Sequence, residues 1–313
     1  MIAVVANPTK LSDIPSMRDE LEEIARSHGH ELLWLETTAD DPGAGQTRQA
    51  LESGAELVCA LGGDGTARTV ASELAGTGTA LGLLPGGTGN LLVRNLGTPI
   101  SGVSEAFEAA LQAGDRPIDV GMVRLDHLPE QAFLVMVGMG LDAETMADTS
   151  EAVKARLGWL GYGLTGASKL FTRGMHAWVT ASDGQRHDQH VRSVLVGNCG
   201  SVQGGVALLQ AARVDDGLLD LLLFAPKGLL GWTAALWHLL TRSHRGHPSI
   251  HQSEAESYVV RVRRPRRVQV DGDPMGRHRM MRVRVEPGAL LVRAPLPEPA
   301  PETQVPPSRA ATD

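Results

Sequence analysis

The chain has 313 residues, 42% of them hydrophobic, and a formal charge of −7 at pH 7. That is material enough for two moderate cores, and it lacks the broad basic footprint that nucleic acid requires. Its two cysteines, Cys59 and Cys199, fall in apolar segments and read as reduced core thiols, which excludes a disulfide framework and a cysteine zinc site, while the absence of a membrane-spanning apolar run or a basic leader before IAVVANP points to a cytoplasmic protein that meets membranes at most from the side.

Residues 1–122 alternate short apolar strands with helical patterns, as expected of a parallel sheet covered by helices. IAVVAN reads as the first strand. Ile14, Met17, Leu21 and Ile24 then recur at helical spacing, with Gly29 placed as a C-terminal cap. LLWLE, ELVCAL and ALGLLP read as the following strands, and Val103, Phe107, Ala110 and Leu111 repeat the helical pattern before Gly114.

From about Val123 the pattern turns to β segments with two-residue alternation: FLVMVGMG, HAWVTAS, HVRSVLVGN, LLDLLLF and SYVVRVRR. Residues 123–294 therefore read as a second, mostly antiparallel domain. Within it, RVRRPRRV at 261–268 reads as a solvated edge protected by its charge, with attraction to anionic lipid head groups as the sharper alternative. Helical stretches are expected at 150–172 and 227–243. The second is apolar around much of its circumference and reads as buried, or else as an interfacial helix presenting Trp232 and Trp237 to lipid. Residues 295–313 are proline-rich and poor in apolar side chains, so they read as a disordered tail. The expected fold class is α/β: an N-terminal Rossmann-like parallel α/β nucleotide-binding domain followed by a C-terminal, mostly antiparallel β-sandwich domain.

The strongest chemical signal is ALGGDGTARTV at 60–70, a buried strand that ends in a glycine turn and passes at once into a helix. Gly62, Gly63 and Gly65 leave backbone N–H groups uncovered for an anion, and the helix directs its positive end to the same place. Asp64 would repel a bare phosphate, so it is expected to orient the turn or to reach magnesium through water. Thr66 can cap the helix or donate to a phosphate oxygen. A second turn, PGGTGN at 85–90, follows the next strand and places Thr88 and Asn90 at a helix start. Each turn alone is compatible with an ordinary strand-to-helix connection. Two of them on adjacent strands point to one ligand crevice at the carboxyl ends of the sheet. The GxxxxGK[ST] phosphate loop is absent, and the GxGxxA of VGMGLDA lies outside the βα half, which sets aside a dinucleotide reading.

GGDGT followed by LGLLPGGTGN resembles the paired motifs of the diacylglycerol kinase, sphingosine kinase and bacterial lipid kinase family. Three later segments agree in order: VGMGLDAET, VGNCGSVQGGVALLQAARVDDGLLD and VQVDGDP. The resemblance spans the chain up to the tail. It implies ATP phosphate contacts from the turn at 62–68 and from Thr88, with Thr38 as a weaker nucleotide contact. It also implies a structural Mg²⁺ held by the Asp216 side chain and the carbonyls of Arg213 and Leu218, an oxygen set suited to a hard cation. The family base is the Glu of DGEP; here the position is Asp273 of DGDP, one methylene shorter, with Asp271 as a fallback base that is more suited to turn geometry.

Other departures are NPTK at 7–10, Leu91 after GTGN, and the lack of a proline over 208–210. The activity implied is transfer of the γ-phosphoryl group to a lipid hydroxyl, diacylglycerol first, with Asp64 ordering metal and water and Asp273 accepting the proton. The implied partner is a lipid at the membrane surface, with peripheral membrane contact and a homodimer left open. The competing readings are an NAD kinase, which shares GGDGT, and a regulatory ATP-binding protein without turnover.

Overall fold

The computed structural model describes residues 1–11, 13–87, 89–140, 174–200, 208–209, 212–226, 231 and 249–294. Thr88, the helices expected at 150–172 and 227–243 with Trp232 and Trp237, and the tail at 295–313 lie outside the described residues, apart from Gly231.

The first part runs β1 (Ile2–Ala6), α1 (Ile14–Ser27), β2 (Leu32–Glu36), α2 (Ala44–Glu52), β3 (Leu57–Gly62), α3 (Asp64–Leu74), β4 (Ala80–Pro85), α4 (Leu91–Asn95) and α5 (Val103–Gln112). The strands are parallel in the order β4-β3-β1-β2, so all four carboxyl ends lie on one edge. β1, β3 and β4 are apolar without alternation because both of their faces are covered, whereas β2, at the end of the sheet, is only partly buried and ends in the exposed Glu36. Ala3, Val5, Val58, Ala60, Leu81 and Leu83 pack with Val70, Ala71 and Leu74 of α3. Ile2, Val4, Leu57, Leu61 and Leu84 face the other way, against Leu21 and Ala25 of α1 and Ala106, Phe107 and Ala110 of α5. Asp13 caps α1 by accepting the Ser16 N–H, and Gly29, at φ 78°, ends it as the sequence predicts. The helix α2, which buries only Thr47 and Ala50, has too short an apolar stripe to be read from spacing.

The second part comprises β5 (Arg116–Leu125), β6 (Gln131–Phe133), β7 (Met136–Gly140), β8 (Met175–Ala181), β9 (Arg186–Val191), β10 (Ser193–Gly197), β11 (Leu219–Phe224), β12 (Ile250–Ala255), β13 (Ser257–Val270) and β14 (Asp273–Arg293). Its pairings are antiparallel. Its core is built from inward residues such as Val179, Val196, Leu221, Val260, Val270 and Val283. The last strand then leaves this core. Val292 and Arg293 of β14 pair in parallel with Leu81 and Gly82 of β4, and Leu290, Val292 and Ala294 bury themselves beside the first part's own strands.

One expectation is corrected here. RVRRPRRV is an edge only at its centre: Arg261, Arg266 and Arg267 pair with β14, Arg261 and Val262 with β8 and Val268 with β7, while the exposed residues 263–265 stand in none of these ladders. The register shifts between Arg261 and Arg266, around Pro265, whose ring nitrogen cannot donate to a ladder. The arginines are tolerated because Arg261, Arg263 and Arg264 are exposed while Val262 and Val268 point inward. Both cysteines are free and buried, as read from the sequence, and burial pushes the Cys59 thiol up to about 12 and the Cys199 thiol in the same direction.

Candidate active site

The two glycine turns meet. Gly86 donates its N–H to the Gly62 carbonyl at 3.0 Å, so the turn after β4 lies directly on the turn after β3. A Cβ on Gly87 would stand 2.7 Å from the Gly63 Cα, and one on Gly86 3.0 Å from the Gly62 Cα and N. One on Gly62 would meet the Thr66 hydroxyl at 2.7 Å. These glycines are required by contact of backbone with backbone and with Thr66. Gly63 and Gly65 differ, since the nearest atoms to an added Cβ are the Gly87 Cα at 3.9 Å and the Asp273 Oδ2 at 3.8 Å. The space beside them is left open by the protein itself.

Asp64 ties the turns together. Its Oδ1 accepts the Leu91 N–H at 2.6 Å, at the start of α4. Burial raises its carboxyl above the ordinary range, the N–H groups at 90–92 oppose that, and the charge of Asp273 adds to it. Asn90 sits in the left-handed region at φ 46° and closes the second turn with its amide, accepting from the Gly87 N–H and donating to the Gly87 carbonyl. Thr66 is not the helix cap. Gly63 holds that position, and Thr66 is buried within the first turn of α3 with its hydroxyl accepting from Asn7 Nδ2 at 3.3 Å. Thr38 follows β2 on the same edge of the sheet, its hydroxyl accepting the Asp41 N–H at 3.1 Å within a local turn.

From the other side comes the tip of the β13–β14 hairpin. Asp271 is buried at φ 48° and accepts three N–H groups, from Leu134 at 2.8 Å and from Val135 and Met136 at 2.9 Å each. Burial raises its carboxyl, offset by those three donors and by Arg68. Asp271 therefore anchors the tip, as turn geometry predicted. Asp273 stands one step beyond, 53% exposed, and is gripped by Arg68 of α3, whose Nη2 pairs with its Oδ2 while Nη1 donates to the Val270 carbonyl at 2.7 Å.

Asp216, Arg213 and Leu218 fall in the turn before β11. Asp216 Oδ1 accepts the Leu218 N–H at 3.0 Å, and the side chain of Arg213 pairs with Asp215. Asp119 holds this turn to β5 and β14: its carboxylate accepts from Gly217 at 2.7 Å and Gly288 at 2.8 Å. Asn198, 1% exposed, donates to the Asp119 carbonyl at 2.9 Å and to the Leu134 carbonyl at 3.5 Å. Since Leu134 also donates to Asp271, a chain of hydrogen bonds joins the Asp216 turn to the hairpin tip. Burial, with the charges of Asp119 and Glu254, raises the Asp216 carboxyl; burial, Glu254 and Asp216 push Asp220 up to about 7. Among the described residues no three His, Cys, Asp or Glu side chains converge as a metal cluster. One carboxylate with backbone carbonyls, in a neighbourhood of unbalanced negative charge, is nonetheless a donor set that fits a hard dication.

The structure thus brings Gly63, Asp64, Gly65, Asn90 and Asp273 to one place and links the Asp216 turn to it indirectly. Sequence reasoning missed Asn7, Asp119 and Asn198 as site residues, and took in Arg68 only as the last residue of the turn at 62–68, without its pairing with Asp273. Asn7 and Asn198 carried a signal, each being a polar residue at the end of an apolar strand. The Arg68 pairing carried none.

Residues 1–123 match the family model of the diacylglycerol kinase catalytic domain, and residues 135–294 match that of the YegS C-terminal NAD kinase beta sandwich-like domain. The chain is 34% identical over 278 residues to a Pseudomonas aeruginosa protein named "Probable lipid kinase YegS-like", covering 88% of each. It is 29% identical over 279 residues to the Cronobacter sakazakii protein of the same name, covering 87% of this chain and 89% of that one. A crystal structure of a diacylglycerol kinase from Bacillus anthracis Sterne superposes with a TM-score of 0.73 at 22% identity, covering 94% of this chain and 96% of that one, a likeness of fold.

Proposed function

Since this chain belongs to the diacylglycerol kinase-type lipid kinase family, in its YegS-like branch, we propose that it transfers the γ-phosphoryl group of ATP to a lipid hydroxyl, with diacylglycerol the first candidate acceptor. The observation that carries this reading is the placement of Asp273, a half-exposed carboxylate from the second part of the chain, beside the open face of Gly65 on the first.

The N–H groups of the turn at 63–65, at the positive end of α3, receive the phosphates. Asp64 keeps the second turn in register through Leu91, and in this reading also orders metal-bound water. As the lipid hydroxyl attacks the γ-phosphorus, its proton passes to Asp273, the new O–P bond forms, and the bond to the β-phosphate oxygen breaks with its electron pair leaving on ADP. Asp216, with the carbonyls of Arg213 and Leu218, would hold Mg²⁺. Bound there, the ion offsets the negative charge around Asp119, Asp216 and Asp220, and through Asn198 that end supports the hairpin tip. In this reading the acceptor is met at the bilayer surface; among the described residues no helix is long and apolar enough to cross a membrane.

The test is incubation with γ-labelled ATP, Mg²⁺ and detergent-dispersed diacylglycerol, monoacylglycerol, phosphatidylglycerol, ceramide and sphingosine, with NAD in a parallel tube. Label in one lipid names the acceptor. Label in NADP, or ATP binding without transfer to any acceptor, would refute the proposal.

A further inference from the structure

We propose that Arg68 contacts the terminal phosphate of the bound triphosphate and exchanges Asp273 for it, so that the carboxylate is released to accept a proton only when the phosphoryl donor is in place. The inference rests on the reading of ATP as that donor.

Arg68 lies three residues after Gly65 on α3, so it shares a helix face with the open turn, and helical side chains lean toward the N-terminus, which here is the turn itself. Two of the five N–H donors that a guanidinium carries are engaged, one with the Val270 carbonyl and one with Asp273. The bond to Val270 anchors the side chain from a backbone atom, leaving the rest of the fork to swing between anions without losing its place. A planar fork of donors suits a phosphate as well as it suits a carboxylate.

The distribution of charge supplies the reason for an exchange. Three carboxylates, Asp64, Asp271 and Asp273, gather where the glycine turn meets the hairpin tip. Asp64 is served by the backbone at Leu91 and Asp271 by the backbone at 134–136. Asp273 is held by Arg68 and is 53% exposed, whereas Arg68 is 17% exposed. An anion seated on the N–H groups of 63–65 arrives against Asp273, whose Oδ2 is 3.8 Å from where a Gly65 Cβ would stand. Repulsion between that anion and the carboxylate is relieved when Arg68 turns to the newcomer. The carboxylate so released is next to the reacting phosphorus.

Titration calorimetry with Mg²⁺-ATP and Mg²⁺-ADP on the full chain and on Arg68→Met and Arg68→Lys tests this. The expected result is a loss of ATP affinity of about tenfold or more in Arg68→Met, with ADP affinity changed by less than about twofold, and partial recovery of the ATP preference in Arg68→Lys. The ADP measurement reports whether the variant still folds its nucleotide site, and should Arg68→Met fail to bind ADP, the Arg68→Lys ratio decides in its place. Equal losses for the two nucleotides, or no loss for either, would overturn the exchange and leave Arg68 a strut between α3 and the hairpin. Wild-type protein that binds neither nucleotide would instead bring down the reading of ATP as donor.

Discussion

On the parallel half the site is held by main chain against main chain: Gly86 bonds to Gly62, and Gly87 sits so close to Gly63 that no side chain fits. On the antiparallel half the turns are held by buried or half-buried aspartates, each collecting backbone N–H groups. Asp271 collects those of Leu134, Val135 and Met136, Asp119 those of Gly217 and Gly288, and Asp126 those of Arg279 and Met280. The first design is sensitive to added volume and the second to lost charge. GGDGT and DGDP look alike on paper as glycine–aspartate turns, but on this comparison they should tolerate different changes.

The largest expected effect comes where the halves meet. Asp273→Asn should lower lipid phosphorylation by roughly 10² to 10⁴-fold, the usual worth of a general base, with little change in thermal midpoint because the side chain is half exposed. Full turnover in that variant, read by transfer of label from ATP, would separate Asp273 from the chemistry.

Next is Asp271→Ala, which leaves three buried N–H groups without an acceptor. At about 1–3 kcal/mol for each unsatisfied donor, the loss of stability should be about 3 kcal/mol or more in a urea melt. Asp271→Asn should recover part of it, because the amide oxygen still accepts.

The glycines sharpen the comparison further. Gly87→Ala should cost about 1–3 kcal/mol, the price of overpacking against Gly63. Gly63→Ala should leave stability within about 0.5 kcal/mol yet weaken nucleotide binding, since its Cβ enters only the open space. A destabilised Gly63→Ala with intact binding would reverse the assignment of the two glycine sets.

The smallest effect concerns Asp220, which stands opposite Glu254 in the β11–β12 ladder. Burial, with the charges of Glu254 and Asp216, pushes its folded carboxyl up to about 7, above the ordinary value of 3.8. The folded chain therefore binds this proton more tightly than the unfolded chain, and stability falls as pH rises through that window. In chelator, Asp220→Asn should raise the thermal midpoint at pH 8 and leave it little changed at pH 4. Equal shifts at both pH values would assign the effect to packing.

Much of this was legible before any coordinates. The parallel strands were visible because β1, β3 and β4 are apolar on both faces and β2 is a short apolar run, and the capped helix α1 because Ile14, Met17, Leu21 and Ile24 recur at helical spacing, of which Leu21 is fully buried. The short helix α2 was not, because a stripe of Thr47 and Ala50 carries almost no periodic signal. RVRRPRRV misled in part for a related reason: arginine and valine alternate equally well in an edge strand and in a paired strand with one solvated face, and only residues 263–265 of it lie outside these ladders.

By itself the sequence determined what depends on neighbours along the chain: the periods of strand and helix, the turns that need glycine, and the ordered motifs that identify the family. Tertiary structure decided what those residues are for. Gly86 and Gly87 prove to serve contact between two turns, and Arg68 grips a carboxylate 205 residues away. β14 leaves its own core to finish the sheet of the other half, and Asn198 joins two distant turns. Such contacts depend on how the two halves are packed, and packing brings together residues whose local preferences hold no record of each other.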